Sequence, residues 1–274
     1  MKLYQLVFIA MLLIAMPLVA AEKVTLDGST TVGPIAKAFA QYYMSQNPGV
    51  KVEVSESGSG NGAKAIINGT ADIGNMSRFM KESEFKAAVD NGVQPVAHVV
   101  ALDGIAVIVN KANSVSDLSI ETIRDIYAGK ITNWSQVGGP NMDIVLISRE
   151  SNSGTLDTFK HFVMGKETSI SAKAESQGSN GAVLQSVRST RGAVGFVGLG
   201  FVDNSIKALS IGGIKASVRN VKNGSYPIGR PLYMFTNGYP AIGSHVYNFV
   251  TLHLTPEGEK LIREAGYIPV TEYK

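Results

Sequence analysis

Ser148-Arg149-Glu150-Ser151-Asn152-Ser153-Gly154-Thr155 joins two segments of different periodicity. Ahead of it the apolar run Ile144-Val145-Leu146-Ile147 predicts a buried strand, and behind it Leu156, Phe159, Phe162 and Val163 repeat at helical spacing. An arginine therefore stands at a strand end and faces the start of a helix. The first turn of a helix has unpaired backbone N–H groups and a partial positive charge. Here the hydroxyls of Ser153 and Thr155 and the bare backbone of Gly154 let an oxyanion come close. Taken alone, the segment supports a second reading, with Ser153 an ordinary N-cap and Arg149 a surface charge.

The same design occurs twice more. Gly28-Ser29-Thr30-Thr31 follows the strand-like Val24-Thr25-Leu26 and precedes a helix opened by Pro34, a residue favoured at the first helical position. Gly58-Ser59-Gly60-Asn61-Gly62 follows Val50 to Val54 and precedes Ala63 to Ile67. Three strand-to-helix turns, all rich in hydroxyls, imply one shared anionic ligand.

Outward from these turns, strand and helix alternate. Strands are expected at Val24–Leu26, Val50–Val54, Ala71–Gly74, Val96–Val100, Ile105–Val109, Ile144–Ile147, Ala193–Val197 and Leu232–Thr236. Helices are expected over the stripe Ile35, Phe39, Tyr42, at Ala63–Asn68 before Gly69, and at Lys81–Asp90. Others follow Ser119, carry Val183, Leu184 and Val187, span Ile242–Leu252, and begin at Thr255-Pro256 and stop at Gly266. This alternation predicts an α/β fold with largely parallel sheets. No low-complexity linker separates the halves, so paired strands should join them, with crossings at Val107–Asn110 and Tyr233–Asn237.

Composition narrows the function classes. Hydrophobic residues make up 45% and charged residues 17% of the 274, an ordinary globular balance. A net charge of +3 with no basic run argues against a nucleic-acid partner. The chain has no cysteine, which excludes disulfides, cysteine catalysis, thiolate metal sites and a lipid-modified cysteine. His98, His161, His245 and His253 have no metal-motif spacing, so no metal is expected. Lys2, the uncharged run Leu6–Val19 and Val19-Ala20-Ala21 together predict a cleavable secretory signal peptide over residues 1–21. The alternative, a retained anchor, falls short of the ~20 apolar residues a span usually needs. The expected mature chain is thus unanchored and located in the periplasm or another extracytoplasmic space.

Several stretches carry a resemblance: Asp27 to Val32, Gly58 to Gly62, Ala71 to Gly74, Ile126-Tyr127-Ala128-Gly129-Lys130-Ile131-Thr132-Asn133-Trp134 and Arg149 to Thr155. In this order, from about residue 24 to the end, the chain resembles the phosphate-binding proteins of phosphate-specific ABC importers (PstS type). The resemblance implies a two-lobed, type II periplasmic-binding fold. One lobe would comprise residues 22–108 plus 236–274 and the other 109–235, each a mainly parallel sheet flanked by helices. It further implies a non-enzymatic, monomeric protein that captures inorganic phosphate between its lobes and delivers it to a membrane permease, without a cofactor. By the same resemblance the candidate phosphate ligands are Ser29, Thr30, Thr31, Ser59, Ser77, Arg149, Ser153, Gly154 and Thr155. Arg78 and Asn180 are further candidates, the alternatives being a surface or cap-partner arginine and a plain turn before a helix. Lys130 and Trp134 are expected to shape the second lobe, and Glu56 and Asp72 to be structural or rim residues, the alternative being that either supplies a carboxylate acceptor to the site.

One departure stands out. Ser77, in Gly74-Asn75-Met76-Ser77-Arg78, occupies the place where enterobacterial members carry an aspartate that accepts the hydrogen of protonated phosphate and repels sulfate. A hydroxyl accepts a hydrogen bond but brings no repulsive charge. Binding of another tetrahedral oxyanion, sulfate or molybdate, therefore stays open. A surface adhesin or sensor on the same fold is a further alternative. A secreted serine hydrolase centred on Ser153 is disfavoured, since the sequence has no Gly-x-Ser-x-Gly elbow.

Overall fold

A computed structural model describes residues 22–272; the expected signal peptide lies outside them. The first part of the chain winds through β1 (Glu22–Gly28), α1 (Gly33–Gln46), β2 (Val50–Val54), α2 (Ser59–Ile67), β3 (Ile73–Met76), α3 (Glu82–Asp90) and β4 (Pro95–Asn110). The middle part supplies β5 (Asp117–Leu118), α4 (Ile120–Tyr127), β6 (Val145–Arg149), α5 (Gly154–Phe159), β7 (Glu175–Gln177), α6 (Asn180–Ser189), β8 (Ala193–Gly198), β9 (Ile206–Ala208), β10 (Ser210–Ile211) and α7 (Val218–Lys222). The chain then returns along β11 (Gly229–Asn237) and ends with α8 (His245–Val250) and α9 (Pro256–Glu264).

The strands form one curled sheet in the order β2-β1-β3-β11-β4-β8-β6-β7, with β9 on β4. The three strands at each end run parallel, as helical crossovers require, while the pairings β3-β11, β11-β4 and β4-β8 are antiparallel. β5 and β10 make a separate two-stranded pair.

β4 corrects the expectation of two strands at Val96–Val100 and Ile105–Val109. It is one continuous strand of 16 residues. Asp103 and Gly104 break the apolar pattern, but they stay in the ladder because their partners across the sheet are Arg230 and Gly229. β4 pairs with β11 from Pro95 to Gly104 and with β8 from Ile105 to Val109, so it changes partner where the two lobes meet.

Three other boundaries move for local reasons. The strand expected at Ala71–Gly74 lies at Ile73–Met76, because Asp72 accepts hydrogen bonds from Thr25 N and Oγ1 at 2.8 and 2.7 Å instead of continuing the ladder. α2 begins at Ser59, four residues before the expected Ala63, which puts that serine in the first turn. α8 is shorter than the expected Ile242–Leu252: Ser244 Oγ accepts from Tyr247 N and caps it, and Ile242 is exposed.

Each lobe has its own core. Val24, Leu26, Ile35, Phe39, Leu232 and Phe249 pack in the first. Tyr127, Trp134, Phe159 and Phe196 anchor the second, with the Phe159 and Phe196 rings stacked at 4.0 Å. Full burial of a large apolar side chain contributes about 1.5–3 kcal/mol. Trp134 Nε1 donates to Gly192 O at 2.9 Å, and Lys130 pairs with Asp125 at the surface. Glu56 pairs with Lys37, also away from the interior.

Candidate anion-binding site

The three turns converge. At the first, Gly28 has φ +131°, and a Cβ there would lie 2.2 Å from Asn75 O, so only glycine lets the chain turn this closely against β3. Ser29 Oγ accepts from Thr31 N and Val32 N at 3.1 and 3.3 Å. Its lone pairs serve the start of α1, and the Thr30 and Thr31 hydroxyls are left to point onward.

At the second turn, Ser59 Oγ accepts from Ser77 N at 3.0 Å and lies 3.3 Å from Ser77 Oγ. At the third, Ser153 Oγ caps α5 by accepting from Leu156 N at 3.2 Å. Gly154 then passes so near the first lobe that a Cβ on it would stand 2.4 Å from Ser59 Oγ and 2.7 Å from Ser77 Oγ. Gly60 N donates to Asn152 O at 2.9 Å, and Asn152 Nδ2 donates to Ser57 O at 2.9 Å. Thr31 and Thr155 complete the contact with their hydroxyl oxygens 3.0 Å apart. Thr30, Thr31, Ser59, Ser77, Arg149, Ser153, Thr155 and Asn180 are all buried.

Arg149 closes the side of the second lobe. Its Nε donates to Gln177 O at 3.0 Å, and its Nη2 donates to Gly178 O at 3.1 Å and towards Thr30 Oγ1 at 3.4 Å. Nη1 is buried and has no partner in the protein. A guanidinium donor left so in a dry interior is costly, and an anion would satisfy it. Burial first, and the charge of Arg230 second, bring the Arg149 pKa down to about 10 against the opposing pull of Glu150. The group remains a cation at neutral pH.

Asn180, the first residue of α6, donates through Nδ2 to both Thr30 Oγ1 and Thr31 Oγ1 at 2.9 Å and accepts from Gly198 N through Oδ1. Arg78 points elsewhere. Its Nε donates to Asp157 at 2.7 Å, and its two Nη groups grip Glu84 at 2.7 Å each. Burial would lower its pKa, but Glu84 and Asp157 outweigh that effect and raise it. Its role in the fold is an ion pair across the lobe boundary.

Sequence reasoning missed two residues here, Arg230 and Asp103. Arg230 Nε and Nη2 donate to Asp103 Oδ2 at 3.0 and 2.8 Å, Nη1 donates to Ser77 O at 3.0 Å, and Nη2 also reaches Thr155 Oγ1 at 3.1 Å. Burial pushes the Asp103 carboxyl up, opposed by Arg230 and by the N–H groups of Leu199 and Gly104. The signal in each case was slight: Asp103 falls between two apolar strand patterns and Arg230 just ahead of a third. Neither could be paired without the register of β4 and β11.

Hydroxyls, one amide, two guanidinium groups and helix starts form a buried cluster rich in hydrogen-bond donors, a chemistry suited to a small tetrahedral oxyanion. Among the described residues no group of three or more His, Cys, Asp or Glu could hold a metal. His98 hydrogen-bonds Thr236, His245 bonds Tyr43, and His253 bonds Val250 O. His161 lines an open groove of about 540 Å³ at the rim, with Phe79, Asp157 and Phe162.

The chain is similar to known proteins in sequence and in fold. Residues 18–252 match the family model described as PBP superfamily domain. The phosphate-binding protein PstS of Bacillus subtilis is 34% identical over 260 residues, which cover 93% of this chain and 83% of that protein. Protein SphX of Synechococcus elongatus is 34% identical over 262 residues, 90% of this chain and 77% of that one. Two solved structures are similar. One, from Clostridium perfringens, contains bound phosphate and is assigned as a phosphate ABC transporter substrate-binding protein. Its TM-score is 0.84 at 34% identity, with 91% of this chain and all of that one covered. The other is an ABC-type phosphate transport receptor from Vibrio cholerae, with a TM-score of 0.71 at 33% identity and 89% and 99% covered. By fold and sequence, the chain belongs to the PBP superfamily and, within it, to the PstS phosphate-binding proteins.

Proposed function

We propose that this protein is an extracytoplasmic receptor that captures inorganic phosphate between its lobes and hands it to an ABC permease. The observation that carries the reading is the meeting of three hydroxyl-bearing turns from both lobes around Arg149, whose buried Nη1 has no acceptor in the protein. The ligands are Thr30, Thr31, Ser59, Ser77, Arg149, Ser153, Gly154 and Thr155, with Asn180 supporting the threonines and Ser29 acting through the backbone it caps. Similarity to proteins that bear phosphate-binding names, one with phosphate in its structure, supports the choice of ligand.

Binding works by closure. Phosphate held by the helix starts of one lobe attracts the donors of the other, so the closed form is favoured by contacts that only it makes. The two lobes turn about β4 and β11: β4 up to Gly104 and the Leu232 stretch of β11 move with the first lobe, a few residues ahead of the expected bounds at 108/109 and 235/236. The protein acts as a monomer, without a cofactor and without catalysing a reaction. In support of the last point, the Ser153 hydroxyl is engaged at the start of α5. Export is supported by the leader pattern, and among the described residues no helix is long and apolar enough to cross a membrane.

Calorimetric titration of the stripped protein with phosphate and then sulfate tests the reading. Phosphate binding that Arg149→Ala abolishes supports it; no phosphate binding overturns it. Ser77 favours a second reading, a wider oxyanion specificity, because the hydroxyl beside Ser59 carries no charge to repel sulfate. Equal affinity for the two anions would establish that reading instead.

A further inference from the structure

Beyond α9 the chain crosses the lobe boundary once more. Gly266, at φ +84°, turns it out of the helix, and the next residues run beside β4. There Ile268 N donates to Leu102 O at 3.1 Å and Leu102 N to Ile268 O at 2.8 Å. Leu102 stands just ahead of Gly104, the last residue of β4 paired with β11. Side chains of consecutive extended residues point to opposite sides. Tyr267 accordingly packs in the core of the first lobe and Ile268 in that of the second, both buried.

The second lobe grips this segment at two further places. Gly200, in the turn Leu199–Phe201 after β8, comes so near that a Cβ on it would lie 2.7 Å from both Ala265 O and Tyr267 Cζ. At the far end Glu272 Oε2 receives Lys222 Nζ from α7 at 3.0 Å, while Arg263 of α9 donates to Oε1. Lys222 and then Arg263 hold the Glu272 carboxyl below its ordinary range, so it is ionised at neutral pH. Lys222 belongs to the second lobe and Arg263 to the first, and one carboxylate serves both. Gly200, Lys222, Arg263 and Glu272 are all outside the proposed set of phosphate ligands.

We propose that residues 266–272 are a third tie between the lobes, and that Gly200, Lys222 and Glu272 are positioning residues that hold the closed form through it. The ladder between β4 and β11 keeps its bonds whatever the angle between the lobes. The third tie is different, because an ion pair and a glycine contact between α7, the turn at Gly200 and the C-terminal segment depend on that angle. These contacts belong to the form in which Thr31 and Thr155 meet, so they add to its stability relative to an open one. The effect on affinity rests on the reading of the site as a phosphate site; the tie itself does not.

The test uses Lys222→Gln, Glu272→Gln and the double variant. Phosphate affinity is measured by calorimetry, and hydrogen exchange at the Leu102 and Ile268 amides is followed in the protein without phosphate. A partly exposed ion pair supports an effect of about two- to fivefold. Each single variant should weaken phosphate binding and speed exchange at Ile268 by that factor. The double variant should do no more than either single, since the same pair is lost in all three. Lys222→Arg keeps the charge and should behave as the wild type. Gly200→Ala puts its methyl against backbone rather than a yielding side chain and should weaken binding about 5- to 150-fold. If it does not fold, the surface ion-pair variants decide the matter. Unchanged affinity in those variants overturns the control of closure, and unchanged exchange overturns the tie. Failure of the wild type to bind phosphate overturns the phosphate reading, while the exchange rates still test the tie.

Discussion

Thr31 and Thr155 are 124 residues apart in sequence, and their hydroxyl oxygens lie 3.0 Å apart in the cleft. One hydroxyl comes from the entry to α1 in the first lobe and the other from the first turn of α5 in the second. The lobes thus touch through the proposed ligand groups themselves, and substitutions here should alter binding more than folding.

Arg149→Ala removes a buried cation and its fork. Hydrogen bonds to charged groups contribute about 1.5–3 kcal/mol each, so phosphate affinity should fall at least 100-fold. The apo protein should melt within a few degrees of wild type, because the guanidinium is buried without a carboxylate partner. Titration calorimetry and a melting curve without phosphate check both halves.

Gly154→Ala should act on closure. The new methyl would stand 2.4 Å from Ser59 Oγ, a contact made only when the lobes meet. Overpacking costs about 1–3 kcal/mol, so affinity should drop about 5- to 150-fold while apo stability is retained. Small-angle scattering should show the variant staying extended at phosphate concentrations that compact the wild type.

Asp157→Asn tests the ion pair across the boundary. Asp157 receives Arg78 at 2.7 Å and Lys81 at 2.9 Å, both from the first lobe. Partial exposure limits its contribution to about 0.5–1 kcal/mol. Phosphate should leave the variant about two- to fivefold faster, and the off-rate should respond less to salt. A stopped-flow release experiment at two ionic strengths reads this directly.

Asp103→Asn strips Arg230 of its counter-charge in the interior. Breaking a buried pair on one side costs about 3–5 kcal/mol, measurable at neutral pH by urea unfolding. The pH dependence has a definite sign. Burial raises the Asp103 pKa in the folded state, so the folded chain holds this proton more tightly than the unfolded one. The stability from this group is present below the ordinary carboxylate range and is lost as pH rises through the raised value. The asparagine variant should lack that slope.

The three turns were legible because their signals are local: glycine, hydroxyls and a change of period within about ten residues. The α/β alternation was legible for the same reason. What escaped depends on partners distant in the chain. Arg230 and Asp103 are 127 residues apart, and only the antiparallel register of β11 on β4 brings them together. Arg78 looked like a possible second cation for the site, yet Glu84 and Asp157 turn it outward, and one of those partners belongs to the other lobe. β4 looked like two strands because a buried carboxylate imitates a loop until its arginine is in view.

That unbroken strand bears on how the molecule comes apart. β4 lends its first ten residues to one lobe and its last six to the other, so neither half owns a complete sheet. A chain severed at Gly104 would leave each fragment with a raw hydrogen-bonding edge exposed to water. β4 is therefore a beam shared by both lobes, and the two should melt together in a single calorimetric peak.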